Sequence, residues 1–182
     1  MSDALRIEPF GGDRAIALAP ALAGIDSALI AELGTAYSHV PWRVEEFVKP
    51  LPGKWQHSFV AVDGAQPAGF WIAWARGADI HTSRVALIAG ARGQGVGRRL
   101  FDAVLAAARQ SHARRITLTV STPNVVAQRF YAGLAFHRMR GACLDSFVRE
   151  TGRQGRVDDD EIEEVIGGTR VRYTAWAFDV EG

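Results

Sequence analysis

Four glycines fall within eight residues in Gly90-Ala-Arg-Gly-Gln-Gly-Val-Gly97, and the segments on either side of them differ in period. Upstream, Arg84 to Ala89 is an apolar run of the kind that forms a central strand. Downstream, from Gly97 to Ser111, the residues Leu100, Phe101, Val104, Leu105 and Ala108 recur at three and four. Arg98, Arg99, Asp102 and Arg109 lie largely on other faces, which predicts an amphipathic helix. A strand that turns on glycine into a helix aims free backbone N–H groups and the positive end of a dipole at one point, which suits a phosphate or pyrophosphate. Gly93, Gly95 and Gly97 leave no Cβ between the loop and such an anion, and Arg92, Arg98 and Arg99 add positive potential. Two common phosphate loops do not fit: Gly-Lys-Ser/Thr is absent, and a G-x-G-x-x-G from Gly95 would need glycine where Leu100 stands. On these residues alone, a tight turn without a ligand is the competing reading.

The rest of the chain supplies strands and helices for one layered domain. Leu5 to Pro9 reads as a strand, and Asp13 to Ile30, interrupted by Pro20 and Gly24, as two short helical pieces. Trp42 to Val48 reads as a short helix stopped by Pro50, Pro52 and Gly53. Ser58 to Val62 and Ala68 to Ala75 form an expected hairpin across Asp63-Gly64-Ala65-Gln66-Pro67. Arg115 to Val120 alternates as a strand does, and Val125 to Leu134 follows as a second helix. Residues 152 to 168 are rich in charge and glycine and read as a mobile insertion with room for one helical turn. Thr169 to Val180 is the expected last strand, apolar enough on both faces for a central place.

The 182 residues fit a single domain spanning 1–182, and 21 basic against 20 acidic residues leave a formal charge of +1. That balance gives no global argument for nucleic acid or membrane. The first residues lack a signal-peptide pattern and no apolar stretch approaches a membrane span, so a cytoplasmic location is the expectation, as monomer or homodimer. Cys143, the single cysteine, reads as a structural thiol with no metal-site spacing.

Arg92-Gly-Gln-Gly95-Val-Gly97 resembles the R/Q-x-x-G-x-G signature of the GCN5-related N-acetyltransferase (GNAT) family, placed as there between a strand and a long helix. Asn124-Val-Val-Ala-Gln-Arg-Phe130-Tyr131-Ala-Gly-Leu-Ala-Phe136 is similar to the family's later pattern, in which Tyr follows Asn by seven positions and a Leu-Gly-Phe turn comes next. The resemblance implies an α/β (α+β) fold: a mixed, mostly antiparallel sheet with a V-shaped splay, flanked by helices on both faces. It implies acetyl-CoA as co-substrate, no metal, and a small-molecule or peptide amine as acceptor. Val85, Ala86 and Leu87 would meet the pantetheine arm through their main chain. Arg92, Gly93, Gln94, Gly95, Val96, Gly97 and Arg98 would hold the pyrophosphate, and Asn124 would bind near the pantetheine. Tyr131 would protonate the departing sulfur. Tyr131 also reads as a core aromatic beside Phe130 and Leu134.

Many relatives place a Glu on the strand before the phosphate loop or on the following strand, but this chain has Arg84-Val-Ala-Leu-Ile-Ala and Thr117-Leu-Thr-Val there. His81, just before the central strand, and Asp79 are then the nearest candidates for a base, with a water chain as the alternative; His81 also reads as an exposed turn residue next to Thr82 and Ser83, and His39, His57, His112 and His137 have weaker claims. Ala135 replaces the glycine of the Leu-Gly-Phe turn, which suggests that no positive φ is needed there or that the turn differs slightly. The acidic run Asp158 to Glu164 could draw in a cationic amine or be a solvated face, and Trp42, Trp55, Trp71 and Trp74 could line a cleft or pack the core. Two other classes stay open: a non-catalytic acyl-CoA-binding module and a nucleotide-binding regulator.

Overall fold

The computed structural model describes residues 5–34 and 40–180. In chain order the elements are β1 (Leu5–Pro9), α1 (Gly12–Leu33), α2 (Val44–Val48), α3 (Lys54–His57), β2 (Phe59–Asp63), β3 (Gln66–Arg76), β4 (Asp79–Leu87), α4 (Val96–Gln110), β5 (Arg115–Ser121) and α5 (Val125–Gly133). Then come β6 (His137–Arg138), α6 (Gly141–Thr151), β7 (Arg156–Asp158), β8 (Glu161–Ile166) and β9 (Thr169–Asp179). The strands form one sheet in the order β1-β2-β3-β4-β5-β9-β8-β7, with β6 paired to β9. Every pairing is antiparallel except β4 with β5.

Alternation along the strands sends side chains to two opposite cores. On one face Trp71, Ile116, Leu118 and Val120 meet Leu100, Phe101 and Val104 of α4 and Tyr131 of α5. On the other, Val60, Val62, Phe70, Ile72 and Ala86 lie under Ala15, Ala19, Leu22 and Leu29 of α1 and Phe47 of α2. Farther along that second face, Leu144 and Phe147 of α6 cover Ala175 and Ala177 of β9. The architecture is therefore helix, sheet, helix, as expected for an α/β chain.

The parallel pair is short. β4 and β5 are joined only at Asp79, Ile80 and His81 against Arg115, Ile116 and Thr117. Beyond that, β4 continues to Leu87 while Leu118 to Ser121 of β5 pair away from it with β9, so the sheet splits. The expected splay is present, and it opens toward the glycine loop.

Several sequence expectations change. Residues 12–33 form one helix, not two pieces, because Pro20 and Gly24 both lie on its exposed side and the inner row of Ala15, Ala19, Leu22, Ile25 and Leu29 is uninterrupted. At a mean hydropathy of 1.6, α1 is also long and apolar enough to cross a membrane, contrary to the expectation that no stretch approaches a span. Within the fold its inner face covers the sheet. The supposed mobile insertion is ordered as β7 and β8: Asp159 and Asp160 take positive φ (49° and 58°) in one turn, and Gly167 and Gly168 (56° and 81°) in the next. Helix α6 was not anticipated, and Cys143 sits exposed on it instead of serving in the core. Ala135 does adopt a positive φ of 68°, so the turn keeps the left-handed backbone and bears a strain of ~1–2 kcal/mol that glycine would avoid.

Candidate active site

The glycine loop lies at the end of β4, past the split. Gly93 and Gly95 have φ of 69° and 76°, and a Cβ at either would meet nothing within 4 Å. Their backbone conformation, rather than crowding, asks for glycine, and their outer side is open to an approaching anion. Gly97 is different: a Cβ there would stand 2.9 Å from Cζ of Phe130, so this glycine lets α5 pack against the first turn of α4. The expectation that Gly97 clears space for phosphate is corrected accordingly.

Two side chains brace the loop from within. The Arg92 guanidinium donates to the Leu87 carbonyl at 3.1 Å and pairs with Glu32 of α1 at 2.6 Å, which ties the loop to both β4 and α1. Gln94 donates its amide to the Gly90 carbonyl. Arg92 is thus a brace whose charge is already matched. Val96 is buried in the core beneath the loop. Arg98, by contrast, is exposed, and among the described residues it forms no ion pair. Arg99 donates to the Leu5 carbonyl at 2.9 Å. The first turn of α4 has no acidic residue, so two arginines stand at the positive end of the helix, an unfavourable placement that a bound anion would reverse. The residues present therefore fit a pyrophosphate group.

Tyr131 and Asn124 lie on the same face as α4. Tyr131 is buried and meets the edge of Trp71 at 5.9 Å, with Phe130 and Phe136 beside it. The ring packs in the core, as its core reading expects, and the hydroxyl has no hydrogen-bond partner among the described residues. Burial raises its pKa well above that of a free phenol, so it stays protonated. Asn124 caps α5 by accepting from the Ala127 N–H at 3.0 Å through Oδ1, and its amide N–H groups have no partner among the described residues. Val85 and Leu87 turn their side chains toward the α4 face and Ala86 toward α1.

His81 is inside β4, not in a turn before it. The strand begins at Asp79, and the ring is buried between Trp74 and Phe147, with Nδ1 3.3 Å from the Thr117 hydroxyl. Burial, with Arg76 and Arg153 adding repulsion, lowers its pKa to about 3. It is neutral at ordinary pH but weakly basic. Asp79 is held by Arg114 and Arg115, the latter at 2.6 Å, and serves as a clasp between β4 and β5. His57 is buried with Nδ1 unpartnered, His112 lies at the end of α4, His137 is 3.8 Å from Asp179, and His39 falls outside the described residues.

On the opposite face from Tyr131, a cavity of about 230 Å³ spans the split. Trp42 and Glu46 line it from the α2 side, Arg84 from β4, and Ile166 and Tyr173 from β8 and β9. Sequence reasoning did not identify Glu46, Arg84 or Tyr173 as site residues. Arg84 is anchored by the fully buried Asp26, Nε to Oδ1 at 2.8 Å and Nη2 to Oδ2 at 2.9 Å, and Asp26 also accepts the Trp42 N–H at 2.8 Å. Of the four tryptophans expected at a cleft, Trp42 alone lines this cavity. Trp71 is core, Trp55 packs on Phe10, and Trp74 stands beside His81. The acidic run is not a free negative patch, because Glu161 pairs with Arg138 and Arg172, Glu163 with Arg170, and Glu164 with Arg153.

The fold is a known one. The fold is shared with the ribosomal-protein-S18-alanine N-acetyltransferase of Escherichia coli, at 15% identity over 98% of this chain and 95% of that one, with a TM-score of 0.67. A GCN5-related N-acetyltransferase from Kribbella flavida aligns at 21% identity over 97% and 98% of the two chains, with a TM-score of 0.66. The protein yncA of Salmonella typhimurium, solved with its cofactor acetyl-CoA, aligns at 13% identity over 98% and 95%, also with a TM-score of 0.66. No curated protein matches the sequence. The sequence model of the acetyltransferase (GNAT) family matches residues 28–136, and the chain belongs to that family.

Proposed function

We propose that the protein transfers an acetyl group from acetyl-CoA directly to a primary amine, with both bound at once on opposite sides of the split sheet. The observation that carries this reading is the alignment of three features: an open, cationic glycine loop, a strand pair that separates just before it, and a cavity across the gap. Main-chain N–H groups of Gly93 to Gly97 and the Arg98 guanidinium hold the pyrophosphate. The main chain of Val85 to Leu87 and the Asn124 amide run along the pantetheine.

In the reaction the amine nitrogen forms a bond to the thioester carbonyl carbon, the carbon–sulfur bond breaks, one proton leaves nitrogen and one reaches sulfur. Backbone N–H groups of β4 hold the developing oxyanion. Tyr131 donates a hydrogen bond to the departing sulfur. With its pKa raised by burial, full transfer of its proton to a thiolate is uphill, so stabilisation by that hydrogen bond is its main contribution. His81 binds protons too weakly to be an efficient base, so the proton from nitrogen leaves through water, and water returns a proton to the departing thiolate.

Acetyl-CoA incubated with the protein and a broad panel of amines, read as free thiol, tests this reading. Sustained release that depends on an amine supports it. Tight acetyl-CoA binding with no turnover on any amine would instead indicate a non-catalytic acyl-CoA-binding module.

A further inference from the structure

The charges around the cavity narrow the acceptor, an inference that rests on the transfer reading above. Arg84 is the cation closest to hand, but Asp26 engages it through two hydrogen bonds, the Val40 carbonyl takes a third at 2.7 Å, and its guanidinium lies 5.3 Å from the Trp42 ring. Arg153 reaches the same region, 5.2 Å from the Tyr173 ring. It is held by Glu164 through two hydrogen bonds of 2.8 Å, with a third to Thr119. Each arginine is thus neutralised by its own carboxylate. Glu46 is left over. Its Oε2 accepts the Arg43 N–H at 2.8 Å, and the side chain forms no ion pair among the described residues. Glu46 is exposed, as are Arg43 and Glu45 nearby, which are opposite in sign, and the Lys54 ammonium is spent on the Glu46, Phe47 and Lys49 carbonyls on the inner side of α2. Among the described residues the cavity therefore carries one excess negative charge beside the flat surfaces of Trp42 and Tyr173.

We propose that this cavity takes a small primary amine bearing no carboxylate next to its nitrogen, steered in as the ammonium by Glu46 and reacting as the free amine after giving up one proton to water. An α-amino acid would bring its own carboxylate against Glu46. It would find no arginine to receive it without breaking the buried Asp26 pair, and the like charge of the exposed Glu46 adds a repulsion moderated by solvent.

Matched pairs that differ only in the carboxylate test this directly: 2-phenylethylamine against phenylalanine, and butylamine against norvaline, each with acetyl-CoA and free-thiol detection. The decarboxylated member of each pair is expected to show a kcat/KM at least ~10-fold higher. Glu46→Gln keeps the acceptor for the Arg43 N–H and is expected to raise KM for the amines about threefold or more, with kcat changed less than KM and the affinity for acetyl-CoA unaltered in calorimetry. Equal or better turnover of the amino acids, or an unchanged KM in Glu46→Gln, overturns the inference while leaving acetyl transfer standing. No thiol release with any amine, despite acetyl-CoA binding, overturns both.

Discussion

Replacing Asp26 with alanine removes the one carboxylate that joins α1, β4 and the segment entering α2. Its side chain is fully buried and that of Arg84 is 11% exposed, so the variant strands a guanidinium that has given up most of its water. Breaking a buried pair by deleting one partner costs ~3–5 kcal/mol, and for a chain of this size each kcal/mol lowers Tm by ~2–4 °C, which makes a loss of about 6–20 °C. Most of that cost is the orphaned charge, not the lost attraction. The double variant Asp26→Ala/Arg84→Met, which removes the charge and refills the space beside Trp42, should recover at least half of it. Urea denaturation followed by tryptophan fluorescence measures both variants, with midpoints compared at an unchanged m-value. A single-variant loss below about 1 kcal/mol, or a double variant as unstable as the sum of its singles, would refute the view that the pair is the keystone of the acceptor wall.

Other outcomes follow from the same geometry. Gly97→Ala should lose ~1–3 kcal/mol by overpacking against Phe130, whereas Gly95→Asp, at an open left-handed position that Asp tolerates, should fold but lose coenzyme A affinity; paired denaturation and binding titrations separate the two. Tyr131→Phe should lower kcat by roughly ten- to a thousandfold with little change in acetyl-CoA binding, and unchanged turnover would remove the hydroxyl from the mechanism. His81, with a pKa of 6.5 when unfolded and about 3 when folded, makes the unfolded chain bind more protons between those values. Stability should therefore fall as pH drops from about 6.5 toward 3, by as much as ~5 kcal/mol from this group, and His81→Phe should flatten that slope in pH-dependent denaturation.

The parts of the fold written in strong local patterns were legible. Arg92 to Gly97, the row Leu100, Phe101, Val104, and the spacing of Asn124 to Tyr131 give the loop, its helix and the helix beside it, because a phosphate turn and an amphipathic face need those residue types at those intervals. The acceptor side was not legible. Asp26, Arg84 and Glu46 come from three distant segments, and only the packing of α1 and α2 on β4 brings them together. The β7–β8 hairpin was hidden because the acids of β8 are matched by arginines of the neighbouring β9, Glu163 with Arg172 in register and Glu161 with the Arg172 guanidinium, so the run looked solvated. His81 looked like a turn residue because Thr82 and Ser83 beside it are polar. Those hydroxyls in fact receive the indole N–H groups of Trp71 and Trp74, each at 2.9 Å, which makes a polar stretch compatible with a buried strand.

Isothermal calorimetry of the purified protein with acetyl-CoA tests the diphosphate grip at the head of α4 most directly. The expected result is saturable heat at one molecule per chain, lost in Gly95→Asp and weakened in Arg98→Ala. Absence of heat with the native chain, or equal affinity in all three proteins, would contradict it.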